Sequence, residues 1–369
     1  MQRYKFYCEY TIVVVLFFEF VSYFLQIVSE FSPNICTFQK KVVPLRSQMT
    51  NNASHITLFA LIVCAICVSC RSAAPHSSNA ATVSRIAVTS VTHIGFLDAL
   101  GALDKVVAVT NKDLVYTPLA DSVVDLGDAL SPNMELLLQA HVDVVLMCSY
   151  AQDKIAPQIE RMGIPVVYID EWKESDPLKR AEWIKPIAQL IGLENRADSI
   201  YTEVEAAYER LKDGAKAPEG RCAEEKKVMV GTNYRGTWYM PSGNSYMGAL
   251  LRDAGYSYAF NNDTRATSIP LSTEAALLKF RDADIWLGCD ASSLDELAQL
   301  DIHHTWFRAY QTHQVYSWSK QTTKTGANNF WERGVVHPEE ILSDLIRISD
   351  SDSESDSESE RLYYALKLE

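Results

Sequence analysis

Two distant segments of the chain repeat one pattern: Ser131-Pro132-Asn133-Met134-Glu135-Leu136-Leu137-Leu138 and Pro270-Leu271-Ser272-Thr273-Glu274-Ala275-Ala276-Leu277. In each, a serine able to cap a helix precedes a glutamate in the first turn, where the helix dipole and free N–H groups favour a carboxylate. An apolar strand follows each helix, at Asp143–Cys148 and Asp284–Cys289. A repeat at this separation indicates two similar α/β halves rather than a solenoid. Either glutamate alone could be a simple helix cap, but two at equivalent places suggest a paired surface role.

Strand and helix signals alternate on both sides of a purely helical stretch. Short β-rich segments such as Arg85–Thr89 and Lys105–Thr110 alternate with helical ones, which predicts parallel sheets with helices on their faces. Residues 177–213 interrupt this alternation with helical segments, the second of which has an apolar stripe and a length of roughly 30 Å. The alternation resumes at Lys226. We therefore predict an α/β fold with two lobes joined by a long helical spacer.

Composition shifts divide the chain further. The predicted parts are a leader (1–70), a tether (71–84), an N-terminal lobe (85–176), the spacer (177–213), a C-terminal lobe (222–348), an acidic low-complexity segment (349–360) and a C-terminal segment (361–369) that is apolar enough to dock back onto a lobe. The net charge is −13, and residues 350–360 contribute six acids and no base. No basic stripe is present in the sequence, so nucleic-acid binding has no electrostatic basis.

The leader contains a compact apolar run, Ile56–Ser69, directly before Cys70. Its length suits a signal peptide better than a membrane span. The small residues before Cys70 and the stretch Arg71–Pro75 after it resemble a bacterial lipoprotein signal, with cleavage before Cys70 and a lipid on its sulfur. This predicts an envelope location, in the periplasm and anchored to a membrane. Residues 1–48 are either an extra membrane segment or a wrongly extended reading frame, and we favour the second.

Cysteines and motifs argue against a metalloprotein or an enzyme. Beyond Cys70 only Cys148, Cys222 and Cys289 remain, an odd number without CxxC spacing, which speaks against a zinc site or a disulfide framework. Cys148 and Cys289 end apolar strands and are expected to be small buried hydrophobic residues. GxSxG, HExxH and GxxxxGK[ST] motifs are absent from the sequence, so we predict a protein that is not an enzyme.

Aromatic residues are concentrated where ligands bind in open parallel sheets, in the loops beyond the carboxyl ends of the strands. One such loop is predicted at 232–245. The residues expected to line a cleft between the lobes are His93, Tyr116, Tyr150, Trp172, Tyr234, Arg235, Trp238, Tyr239, Asn329 and Trp331. Aromatic faces with a few amides and an arginine suit a large, flat or chelated ligand better than a small sugar. The alternatives are packing roles for Trp238 and Trp331, a solvated Arg235, and a core or helix-terminal role for His93.

The order of these parts resembles a class III periplasmic substrate-binding protein of bacterial ABC importers, in the iron-siderophore, haem and cobalamin group. The resemblance runs from about Arg85 to Ile348. It is carried by Arg85–Val88, Gly101–Val109, Pro132–Glu135, Asp143–Leu146, Gly163–Val166, Gly243–Gly255, Leu271–Glu274 and Asn329–Trp331. It implies two Rossmann-like lobes around the spacer and a modest closure on the ligand.

The resemblance also implies partners. One glutamate on each lobe of such proteins pairs with arginines of the permease dimer, which works with an ATPase, and Glu135 and Glu274 fall at those positions. Charge pairs of this kind mainly set docking register and rate. The implied ligand is an iron complex, a ferric siderophore or haem, with cobalamin as the alternative. No cofactor and no protein metal ligand is expected, although haem would need an axial Tyr or His, for which His93 and Tyr116 are the candidates.

Two rival functions remain. A divalent-metal-binding relative would need several His and carboxylate residues to converge, and the His residues are scattered along the sequence. An exported chelatase-like enzyme acting on tetrapyrroles would use one His of the cleft as a base.

Overall fold

The computed structural model describes residues 83–151, 154–215, 225–350 and 361–369. The predicted leader with Cys70, residue Cys222 and residues 351–360 of the acidic segment lie outside the described residues. Within the described ranges, none of the helices combines the length and apolar character that a bilayer crossing requires.

The first lobe is built on a five-stranded parallel sheet in the order β3-β2-β1-β4-β5. The strands are β1 (Ile86–Val88), β2 (Val106–Val109), β3 (Val124–Asp125), β4 (Val144–Met147) and β5 (Val166–Tyr168), and the helices are α1 (Val91–Ala99), α2 (Met134–Gln139) and α3 (Ala156–Arg161). Strands β1 and β4 are buried throughout because side chains of alternate residues enter cores on opposite faces. Ile86 and Leu146 belong to one core, and Ala87 and Val145 to the other.

The spacer consists of α4 (Pro177–Glu182), α5 (Ile184–Ile191) and α6 (Glu194–Ala215). Asp176 caps α4 by accepting the N–H groups of Leu178 and Lys179. Helix α6 belongs to both lobes: Ala197 is part of a core of the first lobe, and Tyr208 is part of the core of the second. A single 22-residue helix anchored at both ends is a stiff connection, and the predicted long helical spacer is confirmed.

The second lobe has a five-stranded sheet in the order β13-β12-β11-β6-β9, in which only β13 is antiparallel to its neighbour. The strands are β6 (Lys227–Val230), β9 (Ser257–Tyr258), β11 (Ile285–Leu287), β12 (Val315–Ser317) and β13 (Leu366–Lys367). The helices are α7 (Tyr246–Asp253), α8 (Thr273–Phe280), α9 (Leu294–Leu300), α10 (Arg308–Gln311), α11 (Asn329–Glu332) and α12 (Pro338–Asp350). Mixed helices and parallel sheets confirm the predicted α/β class.

The two sheets share the same four-strand order. Strands β2-β1-β4-β5 of the first lobe correspond to β9-β6-β11-β12 of the second. The repeated sequence pattern gives α2 and β4 in one lobe and α8 and β11 in the other, so the predicted twin halves are confirmed. The caps differ, however. Ser272 caps α8 as expected, whereas the side chain of Asn133, and not Ser131, accepts the first N–H groups of α2.

A small antiparallel sheet, in the order β10-β8-β7, replaces part of the loop predicted at 232–245. It contains β7 (Asn233–Tyr234), β8 (Thr237–Met240) and β10 (Ile269–Ser272). Arg235 and Gly236 connect β7 to β8 with φ of 52° and 85°, the conformation of a two-residue hairpin turn of the primed kind. The loop prediction was wrong here because the turn takes only two residues. The residues on either side of it alternate between the two faces and pair as strands.

The C-terminal segment docks onto the second lobe. Strand β13 pairs with β12, and the Asp344 carboxylate accepts the backbone N–H groups of Tyr363, Tyr364 and Ala365 at 2.6, 2.7 and 3.0 Å. The side chains of Leu362 and Tyr364 are buried in the core. The expected return of this apolar segment is confirmed.

Candidate ligand-binding face

The carboxyl ends of the first-lobe strands carry two exposed aromatic rings. Tyr150 follows β4 and Trp172 follows β5, with 60% and 45% of their surfaces exposed. Their ring centroids lie 6.1 Å apart in an edge-to-face arrangement. Lys173 lies over the Trp172 ring at 5.4 Å, and the Trp172 Nε1–H donates to Asp170 at 3.2 Å. The pair therefore forms a rigid aromatic platform open to solvent.

The second lobe also exposes aromatic rings near its strand ends. Tyr234 and Tyr239 project from the β7–β8 hairpin, and Trp331 projects from α11. The exposed Arg235 guanidinium lies 5.1 Å from the centre of the Tyr234 ring. These side chains offer flat surfaces and one positive charge.

A direct contact joins the lobes beside these rings. The buried Glu332 carboxylate, next to Trp331, accepts the backbone N–H groups of Tyr116 and Thr117 at 2.8 and 2.9 Å. Burial raises the pKa of Glu332, and these two hydrogen bonds oppose that effect. Helix α1 also packs closely on α11, since a Cβ on Gly95 would lie 2.1 Å from the Glu332 carbonyl oxygen. The half-buried Tyr116 and the exposed Trp331 therefore belong to the same edge of the interlobe junction.

Trp238 does not line a cleft, contrary to the prediction. It is fully buried, and its ring centroid lies 5.5–5.6 Å from those of Trp286, His304 and Phe307. Side chains in β8 alternate between faces, so that Trp238 and Met240 point into the core while Tyr239 is exposed. The packing alternative is the correct one.

Asn329 is also turned away from solvent. It is 7% exposed, and its side-chain amide donates to Gln321 at 2.6 Å. Its side chain ties the first turn of α11 to Gln321, and the neighbouring Asn328 caps the helix. This corrects its predicted role in the cleft.

His93 is sealed inside the first lobe rather than open to a cleft. Its Nε2 lies 3.7 Å from Cys148 Sγ, 3.5 Å from Glu171 Oε2 and 3.3 Å from the Ile169 carbonyl oxygen. The strand register explains this meeting: β1 pairs with β4 and β4 with β5, so the residues after these strands are neighbours. The prediction that His93 lines a cleft was wrong, and its core alternative is correct; Cys148 is buried as expected, and it also contacts His93.

The electrostatics of this buried group are those of an ion pair. Burial alone lowers the pKa of His93, but hydrogen bonds to Cys148 and Glu171 outweigh it and raise the pKa to about 9. Burial raises the pKa of Glu171, yet the hydrogen bond to His93 prevails and the pKa is lowered. Arg180 Nη2 lies 3.9 Å from the other carboxylate oxygen of Glu171. Sequence reasoning missed Glu171 because its proximity to His93 depends on the strand order.

Glu135 and Glu274 occupy equivalent exposed positions, each the second residue of its helix, α2 or α8. A hydrogen bond from Ser272 lowers the pKa of Glu274. Exposed leucines follow one turn later, Leu138 after Glu135 and Leu278 after Glu274. Both lobes therefore present a carboxylate beside an apolar side chain.

A separate hollow of about 440 Å³ lies on the helical side of the molecule, between α1, α6 and the start of α12. Its lining comprises Asp98, Ala99, Ile200, Glu203, Val204, Ala207, Arg333, His337 and Glu339. The predicted cleft residues do not contribute to this lining, so the hollow is distinct from the aromatic face.

Three known proteins are similar to this chain. A curated relative, an uncharacterized lipoprotein of Methanocaldococcus jannaschii, is 24% identical over 242 residues, covering 64% of this chain; the chain spans 55% of the length of that relative. A periplasmic haem-binding protein of Pseudomonas aeruginosa matches with a TM-score of 0.60 at 15% identity, over 78% of this chain and 98% of that chain. A siderophore-binding protein of Vibrio cholerae, solved with a ferric desferal complex, matches with a TM-score of 0.54 at 19% identity, over 72% of this chain and 99% of that chain.

These structural likenesses confirm the fold that the resemblance implied. The family model described as "Periplasmic binding protein" matches residues 86–322, which span most of both lobes and the whole spacer. The chain belongs to the periplasmic binding protein family.

Proposed function

We propose that this protein is a lipid-anchored binding protein that captures an iron complex, a ferric siderophore or haem, and delivers it to an ABC importer. The observation that carries the proposal is the set of exposed aromatic rings near the strand ends of both lobes: Tyr150, Trp172, Tyr234, Tyr239 and Trp331. The family membership and the haem and siderophore ligands of the structural neighbours support it.

The chemistry of these rings suits a chelated metal. Aromatic side chains bury 150–250 Å² each when covered, so a large flat ligand on rings exposed at a binding face would remove a large apolar area from water. A ferric siderophore brings its own oxygen ligands and needs none from the protein. Haem would need an axial ligand, and because His93 is sealed, the half-buried Tyr116 is the remaining candidate of the two that the sequence indicated.

The docking role proposed for Glu135 and Glu274 rests on their equivalent, exposed positions. A permease dimer offers two equivalent surfaces, and two carboxylates at matching places of two similar lobes suit such a partner. The lipid anchor proposed at Cys70 is supported by the curated relative from Methanocaldococcus jannaschii, which is a lipoprotein. We propose a binding role rather than catalysis, in keeping with the family.

The test is a binding titration of the full-length protein in detergent with haem, a ferric hydroxamate siderophore and cobalamin, followed by tryptophan fluorescence. We expect saturable binding of an iron complex. Replacing both Tyr150 and Trp172 with Ala should weaken it about 10–100-fold, since two partly buried rings contribute a few kcal/mol. Trp306→Ala is the matched control, because Trp306 is a tryptophan of similar exposure, 50%, whose ring packs on His303 in the second lobe.

Three outcomes would count against the proposal. Failure of both iron complexes would refute it, and binding of cobalamin alone would replace the proposed ligand. An equal loss of affinity in the Trp306→Ala control would show that the rings after β4 and β5 do not form the site.

A further inference from the structure

Three potential metal ligands converge at the carboxyl ends of three adjacent strands in the first lobe. His93 follows β1, Cys148 follows β4 and Glu171 follows β5. One donor atom from each lies within 4.8 Å of the others, and all three side chains are buried, with exposures of 0, 4 and 1%. Buried side chains with three different donor atoms directed at one point need a reason beyond packing.

The separations match those of ligands around a single ion. His93 Nε2 lies 3.7 Å from Cys148 Sγ and 3.5 Å from Glu171 Oε2. Zinc bonds to nitrogen, oxygen and sulfur of about 2.0–2.3 Å, at tetrahedral angles, place neighbouring donors about 3.3–3.8 Å apart. The two separations from His93 Nε2 are therefore close to the edges of a tetrahedron, and the sulfur and a carboxylate oxygen lie within 4.8 Å of each other.

The arrangement differs from that of a catalytic Cys–His pair. In such a pair the thiol and the orienting carboxylate lie on opposite ring nitrogens. Here both Cys148 and Glu171 approach Nε2 of His93, as does the Ile169 carbonyl oxygen, while Nδ1 has no hydrogen-bond partner among the described residues. Convergence on one point is the property of a ligand set.

The surroundings support the carboxylate and bring a phenol close to the thiol. Arg180 Nη2 lies 3.9 Å from Glu171 Oε1, so the second carboxylate oxygen is held by a charge. Burial and the neighbouring Cys148 thiol raise the pKa of Tyr150, which is 60% exposed.

We propose that His93, Cys148 and Glu171 bind one divalent transition-metal ion of the zinc class within the first lobe. An imidazole, a thiolate and a carboxylate together suit Zn²⁺ or Co²⁺, whereas Mg²⁺ and Ca²⁺ take oxygen ligands. The site lies within one lobe and does not depend on the proposed capture of an iron complex. It revises the expectation that this chain supplies no metal ligand.

The experiment uses untagged full-length protein stripped of metal with a chelator. Zn²⁺ titration should give one ion per chain, and Co²⁺ should produce the near-ultraviolet charge-transfer absorption of a thiolate ligand. Cys148→Ser should abolish that absorption and weaken Zn²⁺ binding at least about 100-fold, since even supporting residues of metal sites cost 10–100-fold. Cys289→Ser is the matched control: Cys289 is equally buried and follows the equivalent strand β11, and it should bind like the wild type.

Further variants keep the proposal falsifiable if Cys148→Ser fails to fold. Glu171→Gln preserves shape and should weaken Zn²⁺ binding about 10–100-fold. His337→Ala changes a second group of potential ligands, His337, Glu339 and Glu340, and should have no effect. The proposal is overturned if the stripped wild type takes up no Zn²⁺, if Cys148→Ser or Glu171→Gln binds Zn²⁺ as tightly as the wild type, or if His337→Ala abolishes binding.

Discussion

The two lobes share a strand order yet differ at the ends of their strands. Cys148 after β4 and Cys289 after β11 are equivalent and equally buried. Cys148 lies beside His93 and Glu171, whereas burial, with Asp290 and Glu296 nearby, raises the pKa of Cys289 to about 12 and keeps it a thiol. The same strand arrangement therefore places two equivalent cysteines in different environments, one beside a histidine and a glutamate and the other near two acids.

The difference comes from the segments that follow the neighbouring strands. After β1 the chain enters α1, which carries His93, while after the equivalent β6 it forms the β7–β8 hairpin. After β5 it reaches Glu171, while after β12 it reaches Trp318, whose ring stacks on Phe330 at 4.7 Å. Packing of strands and helices preserves the scaffold, and the loops at its edge determine the chemistry.

The largest effect on stability is expected when a buried tryptophan is replaced and the result is compared with replacement of an exposed one. Trp238→Ala empties a site surrounded by Trp286, His304 and Phe307, and should lower the free energy of unfolding by about 3–5 kcal/mol. Trp331→Ala, at a half-exposed ring, should change it by less than about 0.5 kcal/mol. Urea unfolding measures both, and similar losses would contradict the assignment of these residues to core and surface.

The contribution of close packing at the junction between the lobes can be tested by replacing glycines with alanine. Gly95→Ala would force α1 away from the Glu332 carbonyl oxygen, at a cost of about 1–3 kcal/mol in unfolding free energy. Gly214→Ala in α6 is the control, because no described atom lies within 4 Å of the added Cβ; it should stabilise by up to about 1 kcal/mol. If Gly95→Ala behaved like the control, the close contact between α1 and α11 would not contribute to stability.

The twin helices allow a direct comparison of their caps. Asn133→Ala and Ser272→Ala each remove a side chain that accepts N–H groups in the first turn of α2 or α8. Each should lower the unfolding free energy by about 1 kcal/mol. Ser131→Ala should have no measurable effect, because Asn133 is the cap. Thermal unfolding would reveal a loss in Ser131→Ala if the assignment were wrong.

The smallest effect on stability is expected at the two exposed glutamates. Combining Glu135→Arg with Glu274→Arg should alter the unfolding free energy by less than about 0.5 kcal/mol and leave ligand affinity unchanged. Uptake of the iron complex by cells that depend on this protein should be lost, since both proposed charge pairs become repulsive. Uptake at the normal rate would exclude these carboxylates as docking contacts.

Local sequence patterns were sufficient to predict the arrangement of strands and helices. The apolar runs at β4 and β11, the helical stripe of α6 and the repeated helix start predicted two α/β lobes and a stiff spacer correctly. These features depend on neighbours in sequence, through capping and hydrophobic periodicity. The hairpin at 233–240 was missed because its turn, Arg235-Gly236, takes only two residues and its first strand, β7, has only two.

Sequence patterns alone predicted the fold class, the twin halves and the presence of aromatic residues after the strands. Which aromatic side chains are exposed and which are buried became clear from the packing, as Trp238 and Tyr239, adjacent in sequence, show. It also decided that His93, Cys148 and Glu171 meet, although up to 78 positions separate them. The physical reason is that burial and proximity across a parallel sheet follow from strand order and register, which depend on the packing of the whole lobe.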